Sequence, residues 1–172
     1  VDPGKPRQGG KIRLGIVSAN MCDNGIGRWI LGLVDAIDRD RFDVTVIRPP
    51  TGEDDITSRI DEHADLVVPL PLDPLHSARV ISGLGLDVLH YVDPQADAYT
   101  MLLASWRLAP LQISGGGIAA TSGLSNIDYH LIAEEDASKA AALFDEGHYM
   151  QVEVAGMLKG SDQPDLARQF LA

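Results

Sequence analysis

Cysteine is nearly missing from this chain: Cys22 is its single thiol. One thiol excludes an intramolecular disulfide and a cysteine-based zinc cluster. It fits a reducing compartment without requiring one. Long apolar runs are missing too. No stretch of about 18 consecutive apolar residues occurs, so no membrane-spanning helix is expected. Positive charge is scarce, with 14 Lys and Arg against 25 Asp and Glu and a net charge of −11. A surface that acidic repels phosphate backbones, which argues against nucleic acid as a partner. Short catalytic signatures are absent as well: there is no GxSxG, HExxH, Walker loop or paired-cysteine motif. His63, His76, His130 and His148 have no partner at ligand spacing, so neither a metal nor a cofactor is expected.

What is present is an ordinary globular composition, 45% hydrophobic and 23% charged over 172 residues, enough for one domain with a core. Residues 1–10, VDPGKPRQGG, are polar and rich in Gly and Pro. They read as a linker rather than as the apolar core of a signal peptide, which suggests a cytoplasmic location. From residue 11 onward, apolar runs alternate with amphipathic stretches. KIRLGIVSA (11–19), FDVTVIR (42–48), DLVVPL (65–70), DVLHYV (87–92) and PLQIS (110–114) read as strands. Between them, 27–38, 54–63, 74–85 and 97–108 read as helices. In the first, Trp29, Ile30, Leu33, Val34 and Ile37 share one face. The acidic runs EDD (53–55) and EED (134–136) fit helix N-termini, where carboxylates offset the dipole. The alternation predicts βαβ units and therefore a Rossmann-like three-layer α/β/α sandwich with a mostly parallel sheet.

In such a sheet, ligands meet the loops beyond the carboxyl ends of the strands. Three of these loops carry polar chemistry. SANMCDNGIGR (18–28) offers Asn20, Asp23, Asn24 and Arg28, with glycines that suit either an anion at a helix N-terminus or close helix–strand packing. GIG is only a fragment of a dinucleotide fingerprint, and Arg48 rather than an acid ends the second strand. HYVDPQAD (90–97) offers Asp93; His90 beside Tyr91 fits either a ligand contact or a satisfied core residue. SGGGIAATSGLS (114–125) offers the hydroxyls of Thr121 and Ser122, or else a simple connection. None of these residues forms a nucleophile–base pattern, so no catalytic residue is expected.

Four separated segments occur in a telling order: KIRLGIVSANMCDNGIGRWILGLVDAIDRDRFDVTVIRPP, then LGLDVLHYVD, RLAPLQ and TSGLSNIDY. Over about residues 11–129 the chain resembles the O-GlcNAc transferase/SPINDLY-like glycosyltransferases. The resemblance implies the N-terminal, acceptor-side Rossmann domain of a two-domain enzyme. Such an enzyme moves N-acetylglucosamine from a UDP-sugar to protein Ser/Thr without a metal. The departures fall at the site. Asn24 stands where the family usually has a histidine, and an amide cannot shuttle a proton near neutral pH. Ile118 and Ala119 replace an aromatic or histidine followed by proline, while Thr121, Ser122 and Gly123 keep the pattern. The family binds its UDP-sugar mainly through a second Rossmann domain, for which this chain has no room.

The remaining segment, 129–172, contains EGHYMQVEVA and SDQPDLARQFL. It resembles a different family, the periplasmic thiamine-binding protein of ABC importers. In that resemblance Tyr129 corresponds to a tyrosine near the ligand cleft. The expected picture is one α/β domain over 11–172, joined from two fragments near Tyr129 by engineering or recombination. The second fragment would add strands at 127–133 and 149–155 and helices at 135–143 and 163–172. Asp162 and Pro164 would open the last helix. The expected function is no intact activity. The alternatives are a truncated glycosyltransferase domain that works only with a UDP-sugar-binding partner domain and a protein acceptor, and a small-molecule site for thiamine or a nucleotide. An edge strand from the joined fragment would offer a route to a homodimer.

Overall fold

The computed structural model describes residues 10–117, 120–132 and 156–157. Its elements follow in chain order: β1 (Ile12–Val17), α1 (Gly25–Ala36), β2 (Phe42–Arg48), α2 (Asp55–His63), β3 (Leu66–Pro69) and α3 (Pro74–Gly83). Then come β4 (Val88–Tyr91), a short 3-10 turn (Pro94–Ala96), α4 (Ala98–Ala104), β5 (Leu111–Gly115), β6 (Tyr129–Leu131) and β7 (Gly156–Met157). They form one sheet in the order β3-β2-β1-β4-β5-β6-β7. Pairing is parallel from β3 through β6, and β7 runs antiparallel to β6. This is the expected Rossmann-like architecture with a mostly parallel sheet.

Buried strands must be apolar on both faces, because helices cover each side. Ile16 and Val46 face a core closed by Ile30 and Val34 of α1 and Ile60 of α2. Val17, Ile47 and Leu89 face the other core, closed by Ala78 and Ile81 of α3 and Leu103 of α4. Each such Val, Leu or Ile side chain, taken wholly out of water, contributes about 1.5–3 kcal/mol. Caps set the helix starts. Asp54 accepts the Thr57 amide while its own amide donates to Thr57 Oγ1, a capping box of the kind the EDD run implies. Asp73 caps α3, with Pro74 in the first turn.

The helix expected over 74–85 ends at Gly83, and the boundaries differ more at two other helices. α1 begins at Gly25 because Asn24 caps it, and Trp29 stands 36% exposed instead of joining the buried face with Ile30 and Val34. The expected 97–108 helix stops at Ala104. Gln112 captures the chain beyond it: Oε1 accepts the Leu108 amide and Nε2 donates to the Trp106 carbonyl. The expected helices at 135–143 and 163–172, the strand at 149–155 and the cap at Asp162 lie outside the described residues.

Candidate functional site

β1 lies between β2 and β4, so its two neighbours are reached by connections leaving in opposite directions. That reversal opens a crevice at the carboxyl ends of β1 and β4. Asn20, just past β1, and Asp93, just past β4, meet there: Asn20 Nδ2 donates to Asp93 Oδ2 at 2.5 Å. The Ser18 hydroxyl accepts the Asn20 amide at 2.9 Å and fixes the turn between them. Asp93 is fully buried, and its Oδ1 has no hydrogen-bond partner. Burial holds its carboxyl above the usual carboxylate range; bonds from Ser18 and Asn20 pull it back down, and the charge of Asp97 pushes it up.

The other first-loop residues are spent on structure. Asn24 Oδ1 accepts the Gly27 amide at 2.8 Å, and Nδ2 lies 3.1 Å from the Cys22 sulfur. Its side chain is therefore a helix cap. A Cβ on Gly27 would come within 1.9 Å of the Cys22 carbonyl oxygen, so this glycine serves close packing of helix and loop. Arg28 forms a surface ion pair with Asp23 at 2.7 Å, and the Asp23 amide donates to Asp54. Together with Asp55, Ile56 and Arg59 they line an open cleft of about 570 Å³ between the starts of α1 and α2. Its carboxylates already offset its arginines, so an anion there would have to displace Asp23 from Arg28.

The glycine loop closes the crevice from the other side. Gly115 and Gly116 have φ of +103° and +97°, and a Cβ on Gly116 would strike the Trp29 ring. Trp29 in turn meets His90 edge to face, with ring centroids 6.2 Å apart. His90 is buried and donates from Nε2 to the Gly115 carbonyl at 2.7 Å. Burial lowers its pKa to about 4, opposed by the Gly115 bond and reinforced by His130. It is a neutral core histidine at physiological pH. Thr121 and Ser122 shape their own turn, accepting the amides of Gly123 and Leu124 at 3.3 and 3.4 Å. Among the described residues neither is hydrogen-bonded to Asn20 or Asp93. The Ser114 hydroxyl and His130 Nδ1 lie 3.0 Å apart, but both are buried inside the sheet, where no substrate reaches them.

The structure thus brings together Asn20 and Asp93 from different loops, and leaves Asp23 and Arg28 at a separate surface cleft. The residues that sequence reasoning passed over are Ser18, Gln95 and Asp97. All three are polar and sit in loops already singled out, which was their only signal. Among the described residues no group of three His, Cys, Asp or Glu side chains is arranged to hold a metal. No helix among them is long and apolar enough to cross a membrane.

No family model matches the chain. Among solved structures, it resembles a point mutant of the O-GlcNAc transferase of Thermobaculum terrenum. The TM-score is 0.66 at 23% identity, over 76% of this chain and 25% of that one. At this identity the likeness establishes the fold. Among curated proteins, 43 residues are 54% identical to the thiamine-binding periplasmic protein of Escherichia coli and 56% identical to that of Salmonella typhimurium. Those residues are 25% of this chain, and the chain spans only 13% of the length of either protein.

Proposed function

We propose that the chain joins the acceptor-side Rossmann half of a SPINDLY-like protein O-GlcNAc transferase to a segment of a thiamine-binding protein, and that alone it transfers no sugar. The observation that carries this reading is the pair of likenesses. One is a fold likeness over 76% of the chain; the other is a much higher identity over 25% of it. The two shares together amount to about the length of the chain, as two adjoining segments would. The site chemistry supports the same reading. Asn24, at the position where the resemblance implies a histidine, has its side chain engaged with Gly27 and Cys22. Asp93 is buried and paired with Asn20, and among the described residues no exposed nucleophile–base pair stands beside it. A sugar donor would need a partner domain to hold it.

The test is calorimetric titration of the purified chain with UDP, UDP-N-acetylglucosamine and thiamine, with thermal unfolding followed in parallel. Cooperative melting without binding heat is expected. Saturable heat from a UDP ligand would mean that the half-site works by itself, and heat from thiamine would mean that the short segment carries a working importer site.

A further inference from the structure

The turn after β4 reads DPQADAYT (93–100), with oxygen-bearing side chains at alternate positions, Asp93, Gln95 and Asp97, and then Thr100. Each of the first three is pinned by one polar atom. Asp93 Oδ2 holds the Asn20 amide, Gln95 Nε2 donates to the Ala120 carbonyl at 2.6 Å, and Asp97 Oδ1 caps α4 by accepting the Thr100 amide at 2.9 Å. Each then leaves a second atom buried and without a partner: Asp93 Oδ1, Gln95 Oε1 and Asp97 Oδ2, with Thr100 Oγ1 beside them in sequence. Asp93 and Thr100 are fully buried. Orphaned buried oxygens are costly, about 1–3 kcal/mol each and more when charged, so their clustering in one turn calls for something that satisfies them.

We propose that the 93–100 turn is a binding site for a hard divalent cation of the calcium class, with Asp93, Gln95 and Asp97 as its side-chain ligands. The orphaned atoms of these three residues are acceptors, so the missing partner must bring positive charge or donors. The three orphaned atoms are themselves buried, while the Gln95 and Asp97 residues that carry them are half-buried. The charge of Asp97 already acts on Asp93, and a cation between them would replace that repulsion with attraction. Oxygen ligands at alternate positions of a tight turn are how calcium loops gather their first three side chains. The Pro94–Ala96 turn supplies the curvature, with the Ala96 amide donating to the Asp93 carbonyl at 2.9 Å. The turn is not an EF-hand, because Ala98 stands where that loop has glycine and α4 starts there. A chain of net charge −11 also concentrates cations around it. The proposed site needs neither histidine nor cysteine, the residue types on which the expectation of no metal rested, and it does not depend on any sugar-transfer chemistry.

Terbium(III), which takes calcium sites and is sensitised by tyrosine, is the direct probe, since Tyr91 and Tyr99 flank the ligands. In about 0.15 M NaCl, where the Debye length is near 8 Å and diffuse binding is screened, the full chain should give saturable terbium emission that calcium displaces. Calcium should also raise its melting temperature. Asp97→Asn keeps a good helix cap, and Gln95→Ala changes a half-buried side chain; each should weaken binding about tenfold or more. Absence of saturable emission from the cooperatively folded chain overturns the site. So does emission that survives both substitutions unchanged, which would mark an adventitious ion on an acidic surface only.

Discussion

Ser114 of β5 and His130 of β6 are register partners, and the serine hydroxyl lies 3.0 Å from His130 Nδ1 with both residues buried. The pair sits one residue past Tyr129, where the proposed join falls. This cross-strand polar bond ties β6 to β5 inside the sheet. His130→Ala leaves the Ser114 hydroxyl without this partner in the interior and should cost about 1–3 kcal/mol. Urea unfolding reads it, and an unchanged midpoint would mean that other contacts hold β6 in the sheet.

Arg107 makes a two-pronged bond with Asp128, whose Oδ2 also accepts the Gln112 amide at 2.8 Å. Asp128 is buried while Arg107 is about one-third open to solvent. Asp128→Ala strands a buried amide and leaves the guanidinium partly desolvated without its counter-ion. Breaking a buried pair typically costs about 3–5 kcal/mol, and the exposure of Arg107 places this one near the lower end. The double variant Asp128→Ala with Arg107→Met should recover part of the loss, because the uncompensated charge is then gone.

Gly27 and Gly32 lie in the same helix and should respond with opposite signs. A methyl at Gly27 collides with the Cys22 backbone, whereas at Gly32 nothing lies within 4 Å. Gly27→Ala should destabilise by about 2–3 kcal/mol, as overpacking does. Gly32→Ala should stabilise by about 0.5–1 kcal/mol through helix propensity. Chemical denaturation of both measures the contrast, and equal effects would refute the close approach of the Cys22 loop.

The layers of the fold were readable because strands buried on both faces carry continuous apolar runs, and because Asp54, within the EDD run, announces its helix. The pairing of Asn20 with Asp93 was not readable. Both residues stood out by loop position, yet they lie 73 residues apart in sequence. Only the placement of β4 beside β1 brings them together. Asn24 shows the opposite case. It was selected as a ligand residue although Asn before a helical run is an N-cap signal, and the cap is the use the fold makes of it. The end of α4 was hidden because a side chain from the next strand, Gln112, competes for its backbone.

His90 links burial to pH. Its folded pKa is about 4, against 6.5 for an exposed histidine, because desolvation disfavours the imidazolium. Between those values the unfolded chain binds the proton and the folded chain does not, so stability rises with pH. The contribution is fully present above about pH 6.5 and is lost as the pH falls toward 4, about 3 kcal/mol across the window. Asp93 works the other way: its raised pKa favours the folded state at low pH, and that benefit disappears as the pH climbs through its folded value. His90→Gln keeps a donor for the Gly115 carbonyl while removing the titration. Unfolding free energies at pH 5 and 7 should differ less in this variant than in the parent chain. Asp93→Asn should leave the histidine slope in place and remove the opposing one, so that its stability relative to the parent improves as the pH climbs.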